Sequence, residues 1–357
     1  MTKCRCTPTH MACLLVLVAL ASFARCETLC VDSRKGDDSD AGTQDAPLRT
    51  IGRAAVLINS NAESGPATVL IGPGIYALDR HVTFGGGRLF TEKDRLTIRA
   101  KILPDDPQWR LGLMPVIVSV ENPRTSGTPG RPSETYSLKV QTSHVTIRGL
   151  EFLGNPSRHN MHACVERIGP DLDDLLLRQC MFIGNRDTLS IYAAALATGD
   201  RFVVDHCVFS GCHGSTVYWD GLDGIAGKGC AMRYCIVTDA LISAVWTCQT
   251  SEDFEFHHNV VADCEYIWMR KPGDRQTYRV ANCALISNKY FSGYGVASGP
   301  TGRTGHEVSF DQDLVSTDGH LVFASDDHTH LAEESAGYDL GAGLFMQMAE
   351  QDKKEAR

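Results

Sequence analysis

Residues able to hold sugars and carboxylates recur at regular spacing in the middle of this sequence. Arg148, Arg178, Asp205, Arg233 and His257 follow one another at intervals of 24 to 30 residues. A second series, Tyr192, Tyr218, Trp246 and Arg270, runs at 24 to 28, with Trp219 and Lys271 beside it. Flat aromatic rings next to cationic side chains suit sugar faces and uronate carboxylates, which makes Arg178, Arg233, Tyr218, Trp219 and Trp246 candidate substrate-binding residues. The same rings suit a packed interior equally well, because a one-residue slip in register turns every strand side chain to the other face. Both readings stand on the sequence. Between the two series lie Asp205-His206-Cys207, Asp220-Gly221-Leu222-Asp223, His257-His258-Asn259 and Arg270-Lys271-Pro272-Gly273-Asp274-Arg275. His257 and His258, successive in a strand, are expected on opposite faces. His206 and His258, two strand spacings (about 10 Å) apart, are too distant for one zinc ion.

A repeat must position these groups. Six segments begin at Val145, Leu175, Phe202, Cys230, Phe254 and Tyr278 and share one pattern over nine or more residues. Positions one and three are mostly apolar, as strand alternation requires. Position six reads Leu150, Cys180, Cys207, Cys235, Asn259, Cys283, and position eight reads Phe152, Phe182, Phe209, Val237, Val261, Leu285. The units hold too many glycines and β-branched residues for a helical repeat and are too short for propeller blades. The fold expected is all-β: a right-handed parallel β-helix, each unit one turn of short strands about 4.8 Å from the next. The cysteines of position six then form an internal ladder of small buried thiols, with disulfides between turns as the alternative. Asn259 in that ladder is expected to bond the backbone at a bend. Upstream, a helix near Thr50–Asn59 is expected to cover the open end of the first turn.

The 357 residues carry 43 acids against 34 bases, a net charge of −9 that argues against a nucleic-acid partner. Lys3 and Arg5 precede the apolar run Met11–Ala21 and a small-residue site at Ser22-Phe23-Ala24, the pattern of a secretory signal over residues 1–26. No later stretch is long and apolar enough to span a membrane. The expected organisation is a β-helix over 27–330 and a C-terminal cap with a charged tail over 331–357, in a secreted monomer.

Residues 202–275 resemble the pectate lyase family, which carries a WIDH strand end, a DGxxD calcium loop, an HHN strand and RxPxxR in this order on a parallel β-helix. Here they read VVDH, Asp220-Gly221-Leu222-Asp223, HHN and Arg270 to Arg275. The tryptophan of the first motif is absent, the acidic pair is one residue closer, and the family's lysine has no counterpart near Ala240–Leu241, although Lys271 stands nearby. The opening, Gly42, Thr43, Pro47, Thr50, Ile51 and Ala54 before Val69, Ile71, Gly74 and Tyr76, is similar to that of many secreted β-helix proteins of the pectin lyase-like superfamily. The resemblance implies cleavage of an acidic polysaccharide by β-elimination. It implies Ca²⁺ on Asp205, Asp220 and Asp223, Arg270 as proton acceptor and Arg275 in support. Because guanidinium is a poor base, His257 and Lys271 stay candidates for that role. A glycoside hydrolase pairing Asp205 with Asp220 or Asp223, and a non-catalytic glycan-binding or surface-structural protein, remain open alternatives. The paired aspartates and GHG histidine of polygalacturonases have no counterpart.

Overall fold

The structure, a computed structural model, describes residues 27–63, 65–120, 135–155, 163–186, 188–220, 227–247, 253–270, 278–296, 299–303, 308–311, 319–325 and 328–346. Three sheets of ten, eight and nine strands run the length of the molecule, and each full turn of chain contributes one strand to each. Sheet 1 runs from Glu27–Val31 to Val308–Asp311, sheet 2 from Gly74–Leu78 to Ala284–Ile286, and sheet 3 from Val82–Phe84 to Gly299–Arg303. All pairings are parallel except the last in sheet 3, between Tyr290–Val296 and Gly299–Arg303. The six sequence units stack in the expected register. Arg148, Arg178, Asp205, Arg233, His257 and Ala281 pair in succession across sheet 1, and Phe152, Phe182, Phe209, Val237, Val261 and Leu285 across sheet 2.

The bend from sheet 1 to sheet 2 falls on position five, where Gly149, Gln179, His206, Tyr234, His258 and Asn282 all have φ between +50° and +73°. Five of these are not glycine, so each pays a local steric cost. Backbone hydrogen bonds on both sides of the bend offset it. The His206 N–H donates to Arg233 O at 3.1 Å, and one residue after the inward Cys207 the Val208 N–H donates to Cys180 O at 3.0 Å. The inward position six carries the thiol ladder, with Cys180, Cys207, Cys235 and Cys283 fully buried. The nine described cysteines are free, and the Cys235 thiol donates to Arg233 O at 3.2 Å, two residues back. Asn259 replaces thiol by amide as anticipated: Nδ2 donates to Met232 O and Oδ1 accepts from Cys235 N, both at 2.9 Å. Asn259→Ala strands both backbone groups in a dry interior. It is expected to cost roughly 2–3 kcal/mol, read as a lower urea midpoint at unchanged slope.

Rings fill the lumen above the ladder, Phe152 on Phe182 on Phe209 at 4.8 and 5.0 Å. The helix Ile51–Ser60 starts at Thr50, whose Oγ1 accepts from Arg53 N at 3.0 Å, and buries Ile51, Ala54, Ala55 and Ile58 against the first strands of sheets 1 and 3. Residues 319–325 and 328–346 return along the outer face of sheet 2. That face is apolar where a solvated strand would be polar: Met181, Val208, Ile236, Val260 and Ala284 pack with Leu331, Leu344, Tyr338 and Leu340 of the returning segment. Among the described residues no helix is long and apolar enough to cross a membrane.

Candidate functional site

At the bend between sheets 1 and 2 the repeat stacks ionisable residues instead of neutral ones, and four of the sequence candidates meet there. Asp205 is the hub. Its carboxylate is 2% exposed, takes Arg178 Nε on Oδ2 at 2.9 Å and His206 Nδ1 on Oδ1 at 2.7 Å, and has Arg233 Nε at 3.7 Å. Burial works to raise its pKa, but the His206 and Arg178 contacts prevail and hold it down at about 2. Asp205 thus serves both Arg178 and Arg233, whereas Arg148 has a carboxylate of its own, Asp105 at 3.5 Å. Arg148 lies one rung below Arg178, bonded through Nε to Gln179 Oε1 at 2.7 Å, and burial with Arg178 close by lowers its pKa. Arg178 and Arg233 keep 28% and 34% of their side-chain surfaces open, so the row presents cationic charge outward.

His257 ends the row beside Arg233, 26% exposed. Burial, then His258 and Arg233, pull its pKa below the usual histidine value, against the opposing pull of Glu255 and Asp205. Its Nδ1 lies 3.0 Å from His258 Nδ1, and Nε2 is 3.9 Å from the nearest Glu255 oxygen. The two histidines therefore do not point to opposite faces. His258 occupies the left-handed bend, where strand alternation no longer holds, and its side chain swings back beside its neighbour. The bend does the same for His206 and Tyr234. The Tyr234 ring stacks between His206 and His258 with centroids 4.8 Å from each. These position-five residues were absent from the sequence-derived set, although they form a column in the repeat. The returning C-terminal segment borders the cluster, with Gly343 N donating to Tyr234 O at 2.9 Å and Gln179 Nε2 donating to Leu344 O at 2.7 Å.

The remaining candidates lie elsewhere. On sheet 3 the register runs Leu196, Tyr218, Trp246, Met269 along one column and Ala197, Trp219, Thr247, Arg270 along the next. The sequence stack is therefore out of step at both ends: Arg270 by one residue, and Tyr192, which lies four residues before Leu196, the partner of Tyr218. Tyr218 and Trp246 face outward, yet both are buried among Tyr192, Leu196, Ile242 and Met269. Trp219 and Arg270 share the inward column and are buried, with Trp219 donating to Phe202 O at 3.0 Å. Arg270 and Asp205 thus occupy different faces, and the flank expected to unite them does not form. Asp220 ends the strand Ser215–Asp220. Its side chain, together with Asp223, Lys271 and Arg275, lies outside the described residues.

The surroundings of Asp205 do not fit a calcium ion. Its oxygens accept from Arg178 and His206, and a third cation, Arg233, stands beside them where Ca²⁺ would need further oxygens. Among the described residues no group of three His, Cys, Asp or Glu side chains could hold a metal.

No family model and no curated protein matches the chain. Solved structures do. A pectin methylesterase in complex with a hexasaccharide aligns over 87% of this chain and 94% of its own at 13% identity, with a TM-score of 0.50. A rhamnogalacturonan lyase aligns over 75% and 70% at 13% identity (TM-score 0.47), and a GH136 lacto-N-biosidase from Eubacterium ramulus over 82% and 68% at 11% (TM-score 0.46). The chain has a parallel β-helix fold. At these identities the likeness extends to the fold and no further.

Proposed function

We propose that the protein is a secreted carbohydrate-active enzyme that cleaves a uronate-containing polysaccharide by β-elimination, at the bend between sheets 1 and 2. One observation carries this reading: a cationic row, Arg178 and Arg233, runs in register into a partly exposed histidine whose pKa is lowered. β-Elimination needs two such groups. The C5 proton of a uronate is weakly acidic because its removal places charge next to a carboxylate. A guanidinium on that carboxylate stabilises the enolate-like intermediate, and Arg233 has the open surface to do so. The 3.0 Å contact between the two Nδ1 atoms needs one ring to donate; in the tautomer this mechanism requires, neutral His257 gives its Nδ1–H to His258 and keeps its Nε2 lone pair for the C5 proton. The electrons of the C5–H bond form the C4–C5 double bond as the C4–O bond breaks. The departing oxygen takes the proton that His257 holds. Asp205 keeps Arg178 in place and takes no proton, because its carboxyl stays ionised down to about pH 2.

The glycoside hydrolase alternative needs a carboxylic acid that stays protonated near neutral pH, and Asp205 is shifted the opposite way. Calcium has no part in the proposed route. Incubation with pectate, alginate and glycosaminoglycans, each with and without a chelator, tests the assignment. Unsaturated ends that absorb in the near ultraviolet and form at the same rate in chelator are expected. Reducing ends without that absorbance, or activity abolished by chelator and restored by Ca²⁺, would remove this mechanism.

A further inference from the structure

The first turn of the ribbon is incomplete. After the strand Glu27–Val31 the chain turns away from sheet 2, with Asp32 Oδ1 accepting from the N–H groups of Arg34 at 2.9 Å and Lys35 at 3.0 Å. Ser33 still reaches sheet 2, since a Cβ on Gly74 would meet its Oγ at 2.3 Å. Among the described residues Gly74–Leu78 is therefore the terminal strand of sheet 2, paired only with Pro115–Ser119. In a parallel ladder the N–H and C=O of one residue point to the same side. Leu78 O accepts from Val120 N at 2.9 Å, so residues 74, 76 and 78 face the paired strand, and Ile75 and Ala77 turn their backbone groups to the open edge. The terminal strand of sheet 3 is covered differently. There Asn59 of the helix donates to Thr83 O at 2.7 Å and accepts from Gly85 N at 2.9 Å.

A cleft of about 780 Å³ lies where the missing strand of sheet 2 would run, between this edge and the helix Ile51–Ser60. Its lining has two characters. Ile75 and Val56 are apolar and 68% and 54% exposed. Arg49, Arg53 and Arg80 bring cations, and the two acids of the lining are already engaged. Asp38 accepts from Thr50 Oγ1 at 2.7 Å and from the Arg49 and Thr50 N–H groups, and Asp79 pairs with Arg80 at 3.0 Å. Arg49 spends its Nε on Gly36 O at 3.0 Å, and neither it nor Arg53 has an ion pair among the described residues.

We propose that this cleft takes an extended acidic peptide segment as an added strand of sheet 2. The backbone groups of Ile75 and Ala77, unpaired among the described residues, supply the ladder, Ile75 and Val56 an apolar contact, and Arg49 and Arg53 the selection for acidic side chains. The inference stands apart from the enzymatic reading, because no group at the cleft takes part in elimination.

Fluorescence anisotropy with two labelled heptapeptides, one of alternating Glu and Val and one of alternating Lys and Val, tests it on the full chain. The acidic peptide is expected to bind at least about tenfold tighter than the lysine peptide, and N-methylation at alternate residues to abolish its binding. Ala77→Pro removes one edge donor at a position where an edge strand tolerates proline. It is expected to weaken binding about tenfold with the melting temperature unchanged. The double variant Arg49→Glu and Arg53→Glu is expected to reverse the preference. Equal affinity for the two peptides, no binding of either at about 1 mM, or an unaffected Ala77→Pro variant would overturn the proposal. Displacement of the acidic peptide by hexagalacturonate would overturn it too, by assigning the cleft to glycan.

Discussion

His257→Gln is expected to lower kcat on a cleaved uronate polymer by about two to four orders of magnitude, with KM changed far less. Glutamine keeps the bulk and a hydrogen bond toward His258 but has no lone pair of useful basicity, so the loss falls on proton transfer. Arg233→Ala should behave differently, raising KM as well as lowering kcat, because the guanidinium meets the substrate carboxylate before and during the reaction. The pH profile separates the two roles. With the His257 pKa below its usual value, wild-type activity is expected to rise through an acidic limb below about pH 6.5 and to be full at neutral pH. In His257→Gln that limb disappears from the residual rate. In Arg233→Ala it moves upward, since a neighbouring cation that holds the imidazole neutral has gone. Unchanged kcat in His257→Gln would end the assignment of the base.

The second large effect is on stability. Asp205→Ala is expected to destabilise the fold by about 3–5 kcal/mol, because it leaves Arg178 and Arg233 without their shared counter-charge. Replacing both members, as in Asp205→Ala with Arg178→Met, should recover much of that loss. The sign of the pH dependence follows from the depressed pKa. The folded carboxyl titrates at about 2 and an unfolded one near 4, so the unfolded chain binds the proton more readily. The stabilisation, roughly 2–3 kcal/mol, is therefore full above roughly pH 4 and lost as the pH falls from 4 toward 2. Urea denaturation at a series of acidic pH values should show this loss in the wild type and its absence in Asp205→Asn. An identical acid slope in both would mean that another carboxylate dominates.

Much of this architecture was open to reading from residue types alone. Alternation at positions one, three and eight, with a small residue at position six, can be satisfied only if successive units stack, since no single unit buries its own apolar face. The column that matters most, Arg178, Asp205, Arg233 and His257, follows at once from the unit starts, because a parallel register inherits the sequence alignment directly. The partners of that column did not follow. Strand alternation sends His258 to the face opposite His257, and only the left-handed backbone at position five brings it, with His206 and Tyr234, to the same side. Sheet 3 was misread for a related reason. Its strands are reached through connections of unequal length, and one residue of slip carried Arg270 from the outer column to the inner one.

Residue spacing was enough to dictate a ribbon of parallel strands winding through 24- to 30-residue turns, with ionisable residues along one edge. Which of those residues meet was set by the folded chain. Asp205 is spent on Arg178 and His206, Arg270 is enclosed in the lumen, and the returning chain over sheet 2 covers an apolar face that no local pattern explains. Periodicity fixes the face of a residue inside a strand, whereas at bends and strand ends the direction of a side chain depends on backbone torsions and on partners from other turns, as far off as Leu344 is from Gln179.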